Sequence, residues 1–146
     1  MVFRKTFIPD PLELKQACQK PLHPDAVRGI EAYNQGEYFL AHEHLEDAWN
    51  QEGEPDRRLY QGILQAGILC MRARQGKYRA VFSMYTRMQV WLTPWPDRCR
   101  GLDIGQLKAD IATLVAEVER LGPGRLDQLD ERFFTRIKKS ENPSTT

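Results

Sequence analysis

The stretch GILQAGILCM, residues 62–71, decides the fold. Gln65 is its one polar side chain. Beta signals are sparse throughout: no sustained apolar–polar alternation bounded by turns occurs, whereas spacings of three and four recur from residue 24 almost to the end. A helix that is apolar nearly all round is buried on most of its sides. Residues from about Pro55 to Gln75 are therefore expected to form the central helix of an all-α bundle. Gly62, Ala66 and Ala73 place small residues on one side of it, where a neighbouring helix can approach closely, at some cost in propensity for the glycine.

Upstream, Gly53 and Pro55 make a loop of EGEPD. Before it, Tyr38, Ala41, Leu45, Ala48 and Trp49 share one face of a helix running from about Glu37 to Gln51. An earlier helix opens at Pro24 and closes at Gly36, with Ala26, Ile30 and Tyr33 on its buried face. The short connection at Gly36 makes these two an antiparallel hairpin.

Downstream of a break at Gly76, Tyr78, Val81, Tyr85, Met88 and Leu92 line a fourth helix. TPWPDRCRG, residues 93–101, reads as a loop with Trp95 packing back on the body. Asp103 and Gln106 have capping-box spacing ahead of a seam of Leu107, Ile111, Leu114, Val118 and Leu121. GPG at 122–124 ends that helix, and a short last helix is expected around Leu126 to Ile137, docked by Phe133 and Phe134. The whole is read as a single-domain helical bundle of about five to six helices. Residues 1–22 are expected to pack on the bundle, 23–138 to form it, and 139–146 to be a flexible tail.

The 146 residues suffice for one substantial core. Twenty-one basic against twenty acidic residues leave a net charge of +1, which argues against nucleic acid and an anionic membrane as partners. No run of 18 apolar residues occurs, and Pro9, Asp10 and Pro11 stand where a signal peptide needs its apolar middle. A cytoplasmic location is the expectation. Cys18, Cys70 and Cys99 are odd in number and widely spaced, which points to reduced thiols, with Cys70 in the core.

The stretch EYFLAHEHLEDAWNQ, residues 37–51, carries the candidate site. His42 falls within the apolar face and Glu46 lies one turn on, while Glu43 and His44 turn towards its margins. Three readings of the pair are open: a satisfied buried polar group, the polar floor of a ligand pocket, or a metal or acid–base centre. HEHLE lacks the second histidine of the H-E-x-x-H zinc signature, and no E-x-x-H pair of the di-iron bundle type is present. On the central helix, Gln61, Gln65 and Arg72 form the one polar track, a possible partner for the pair. Trp49 ends the same face as His42.

GEYFLAHEHLEDAW, LYQGILQAGI, GKYRAVFSM and GLDIGQLKADI, in that order and spacing, resemble the family catalogued as domain of unknown function 309. Its signature falls here on Gly36, Ala41, His42, Glu43, Leu45, Glu46, Trp49, Gly62, Gln65 and Gly76. The resemblance implies a compact helical bundle and no particular activity. Two positions depart from it: Arg72 stands where many relatives have histidine, and Lys77 where they have asparagine. A positive charge in place of a potential ligand lowers the case for a metal site and favours a His42, Glu46, Arg72 polar network.

The functional expectation is a non-catalytic binding or interaction module with a polar cleft around His42 and Glu46, completed by Glu43, Trp49, Gln65 and Arg72. A small molecule or a protein is the expected partner, with no cofactor and no metal. The alternative is a metal-assisted or acid–base enzyme using His42 and Glu46. A third role, assembly into a homo-oligomer, would use an aromatic surface near Trp91 and Trp95.

Overall fold

Helix caps written into the sequence divide the chain. The structure, a computed structural model, describes residues 9–140. Residues 1–8 of the expected N-terminal segment and 141–146 of the expected tail lie outside the described residues. The helices are α1 (Pro11–Ala17), α2 (Pro24–Asn34), α3 (Tyr38–Asn50), α4 (Asp56–Arg74), α5 (Tyr78–Leu92) and α6 (Ile104–Leu121). Asp10 and Asp103 accept backbone N–H bonds from Leu12 and Gln106, and the His23 ring accepts from the Asp25 N–H. Prolines fill the first position of α1 and α2. The Asp10–Pro11 start turns part of the N-terminal segment into a helix that the hydrophobic pattern alone does not announce.

Two hairpins share one stop signal. After α2, Gly36 (φ 79°) lets the Glu37 N–H reach the Ala32 carbonyl and its own N–H reach Tyr33. After α4, Gly76 (φ 73°) does the same for Lys77 to Arg72 and Gly76 to Ala73. Both are Schellman motifs, which need a left-handed residue after the helix and so favour glycine.

α4 lies at the centre, with eleven buried residues from Asp56 to Ala73. α3 and α5 flank it, and α2 covers it from behind through Tyr33, whose ring packs over Gly67 and whose hydroxyl lies 3.6 Å from Cys70 Sγ. Cys70 is a buried free thiol, and burial pushes its pKa up to about 11, which leaves it unreactive. A Cβ built on Gly62 would lie 2.5 Å from Leu92 Cγ, so this glycine is where α5 crosses closest.

The structure corrects the sequence reading in three places. Cys18 and Cys99 are not thiols: they form a disulfide, with Cα atoms 4.4 Å apart across a separation of 81 residues. Spacing carries no signal for a pair this distant, and only the docking of α1 brings it together. Within the expected 93–101 loop and just after it lies a small hairpin, β1 (Arg98–Cys99) with β2 (Leu102–Asp103), turned by Arg100 and Gly101, both at positive φ.

The expected last helix is replaced by two 3-10 turns, Leu126–Gln128 and Glu131–Phe133, and an extended strap. The strap's backbone finds partners across the fold instead of along its own chain. The Asn34 amide donates to the Ile137 carbonyl and accepts from its N–H, and Asp103 N–H donates to Lys138. Arg74 fixes the turns with a two-pronged bond to Glu131 and a stack on Phe134 at 4.1 Å. Trp95 packs back as expected, only 3% exposed, while Trp91 is half-buried.

Because Leu92 is fully buried, it has no room to retreat from a methyl group on α4. Gly62→Ala should destabilise the fold by about 1–3 kcal/mol. Urea unfolding followed by circular dichroism measures this; an unchanged midpoint would show that α5 can shift away.

Candidate functional site

Trp49 of α3 and Arg57 of α4 meet at 5.3 Å, the guanidinium lying over the indole. That contact sets the level of the antiparallel pair. With only five residues between the two helices, α3 runs back along α4, so Glu46 and then His42 lie further along it, in the direction of Gln61 and Gln65. On the other flank of α4, Arg58 stacks over Trp91 of α5 at 4.9 Å and pairs with Glu54. The polar track of α4 therefore faces outward between α3 and α5, beside the seam that His42 and Glu46 border.

The polar groups of this seam lack partners. His42 Nδ1, Arg57 Nε and Gln65 Oε1 are buried, and none has a hydrogen-bond partner. The His42 ring stacks on Phe39, with centroids 6.1 Å apart, and Phe39 itself is 62% exposed. Among the described residues, His42 and Glu46 are not bonded to each other, and Arg57 has no ion pair. Trp49 is half-buried and Glu43 is exposed. Arg72 turns to Gln75 at 2.9 Å and joins neither His42 nor Glu46, so the expected three-residue network does not form.

A second assembly, which sequence reasoning missed, clamps the N-terminus of α4. Arg100 is 5% exposed. Its Nε donates to the Ala17 carbonyl at 2.9 Å, its Nη1 to the Tyr60 hydroxyl at 2.7 Å, and its Nη2 to Asp56 Oδ2 at 2.5 Å. Lys20 donates to the same Asp56 oxygen at 2.8 Å. The Tyr60 hydroxyl also accepts the His23 N–H. Burial raises the Tyr60 pKa, and it opposes ionisation of Asp56 as well, but the bonds from Lys20 and Arg100 outweigh it there and hold Asp56 below the ordinary carboxylate value. Arg100 sits at φ 53°, a conformation that costs a side-chain-bearing residue energy and that these bonds offset. The one advance signal was the Arg-Gly pair between Cys99 and Leu102, a two-residue hairpin turn.

Among the described residues, no group of three or more His, Cys, Asp or Glu side chains is placed to hold a metal ion, and no helix is long and apolar enough to cross a membrane. The class this geometry defines is an all-α bundle built on two Schellman-ended hairpins, with an unsatisfied polar seam along its central helix.

Residues 26–84 match the family model described as Domain of unknown function (DUF309), as the His42 stretch led one to expect. The match holds α2 from its third residue, α3, α4 and the first half of α5, hence the whole seam, and leaves out Cys18, Cys99 and Arg100. An uncharacterized protein of Aquifex aeolicus (strain VF5) is 26% identical over 96 residues, 65% of this chain and 29% of that relative. The chain thus spans less than a third of the relative's length.

Asp56→Asn takes from the buried Arg100 the carboxylate that it bonds to, leaving Glu52 at 3.8 Å as its remaining ion-pair partner, and should cost up to about 3–5 kcal/mol near neutral pH. The native Asp56 pKa lies below its ordinary value of 3.8. Its contribution is therefore complete above that value and is lost as pH falls through the lower native one. Melting temperatures between pH 7 and pH 2 should converge for wild type and variant at the acid end; a constant gap across the range would show that Asp56 does not titrate as the clamp requires.

Proposed function

We propose that the domain is a non-catalytic binding module and that its small ligand lies along the α3–α4 seam. The observation that carries this is the row of three buried, partnerless polar atoms: His42 Nδ1, Gln65 Oε1 and Arg57 Nε. Each such atom costs roughly 1–3 kcal/mol if nothing satisfies it. Orphaned polar groups of this kind call for a partner outside the chain, a water or a ligand.

The order of groups along the seam describes the ligand. Arg57, its guanidinium lying on the Trp49 face, stands at one end, suited to pair with a carboxylate or similar anion. His42 and Gln65 stand two turns of α4 away, about 12 Å along the axis. Glu46 lies between and calls for a hydrogen-bond donor or positive charge. A small polar molecule with an anionic end and a donor-bearing body fits this order.

Gln65→Met separates the ligand reading from a structural one. With no internal partner to lose, the variant should keep or slightly raise the stability of the free protein, while a hidden structural bond would make it lose about 1 kcal/mol or more. A thermal-shift screen of small carboxylic acids, run with and without chelator, should find compounds that raise the melting temperature of wild type. The same compounds should fail with Glu46→Ala and Gln65→Met. No stabilising compound, together with a destabilised Gln65→Met, would sink the reading.

A further inference from the structure

We propose that the Cys18–Cys99 disulfide is a redox control on the seam: its reduction by a dithiol releases α1 from β1, loosens the first turn of α4, and so unfixes Arg57, the anion-binding end. The proposal rests on the ligand reading of the seam, but the contacts behind it belong to the clamp.

Those contacts converge on one carboxylate. Each bond that Asp56 receives comes from a side chain within two residues of a disulfide cysteine: Lys20 follows Cys18, and Arg100 follows Cys99. Arg100 also binds back to α1, its N–H donating to the Cys18 carbonyl and its Nε to that of Ala17, each at 2.9 Å. The disulfide thus fastens together the two segments that hold Asp56. Asp56 is the first residue of α4, and Arg57 and Arg58, which reach over Trp49 and Trp91, come next.

Among the described residues, α1 has few other contacts to keep it in place. It has seven residues, far too few to be stable as an isolated helix, and only Leu14 and Ala17 of it are buried. Beside the clamp a groove of about 240 Å³ lies between Glu13, Gln16 and Lys20 on one wall and Glu54 and Asp56 on the other. Among the described residues, α1 is therefore not sealed along that side. With the bond gone, motion of α1 carries Lys20 off Asp56 and takes two carbonyls from the buried Arg100.

Cys18 is 8% exposed and Cys99 1%, so the attack falls on the Cys18 sulfur as α1 opens. The reductant's thiolate forms a mixed disulfide there and Cys99 leaves as a thiolate that takes a proton. The reductant's second thiol then closes its own disulfide and releases Cys18, likewise protonated. Two electrons and two protons pass from the dithiol to the protein. A disulfide in a reducing compartment is characteristically transient and redox-sensing, which reconciles this bond with the cytoplasmic expectation.

Hydrogen exchange of the full chain, read by mass spectrometry before and after dithiothreitol, tests this. Thiol titration in denaturant should count one free cysteine, Cys70, before reduction and three after. Reduction should speed exchange about tenfold in residues 11–17 and 56–60, leave 62–71 protected, and be reversed by reoxidation. Cys18→Ser should exchange like the reduced protein. Three thiols at the outset, or unchanged exchange at Arg57 and Arg58 in both the reduced protein and Cys18→Ser, would overturn the proposal. Exchange is read with no ligand present, so failure of the seam to bind shows separately, in the carboxylic-acid screen.

Discussion

The burial of α4 is the constraint on which the structure depends. A nineteen-residue helix with apolar side chains around most of its circumference cannot face water, so three other helices must cover it. Each cover makes its own contact: Gly62 admits Leu92 of α5, Gly67 admits the ring of Tyr33 of α2, and Trp49 of α3 meets Arg57. The short Schellman turns at Gly36 and Gly76 then leave the neighbours no choice but antiparallel packing.

Around this rod the protein treats its polar groups in two opposite ways. At the N-terminus of α4, Arg100, Asp56, Lys20 and Tyr60 satisfy one another, and a buried guanidinium is tolerated because each of its three nitrogens donates. Along the outer seam, His42, Arg57 and Gln65 each keep a buried atom with no partner. Low dielectric makes the first arrangement stiff and the second costly. A network that is complete belongs to the scaffold, and a row that is incomplete invites something from outside. Asp56 and Arg57 are adjacent in sequence, so the stiff group and the open one share a single helical turn.

Much of this was legible beforehand. The run at 62–71 identified the central helix, the glycines its hairpins, and the 103–106 pair the cap of α6, because each depends on periodicity or on a local hydrogen bond. That His42, Glu46 and Trp49 share one face of α3, and Gln61 and Gln65 one track of α4, could be read from the same period. The partner of Arg72 could not: helical angle puts the arginine on the track, but its length and its place in the last turn let it bond to Gln75 instead. The C-terminal strap also escaped, since its backbone partners lie on Asn34 and β2, far away in sequence.

The sequence by itself determined which segments are helical, which of them is central, and which polar residues share a face, since all of these follow from a 3.6-residue period and capping chemistry. Only the tertiary structure decided that Cys18 meets Cys99, that Arg100 is buried against Asp56, and that His42 and Gln65 are left unsatisfied. Those outcomes rest on distances between residues many turns apart in the chain, and such distances exist only once α1, the small hairpin and α3 have docked on α4.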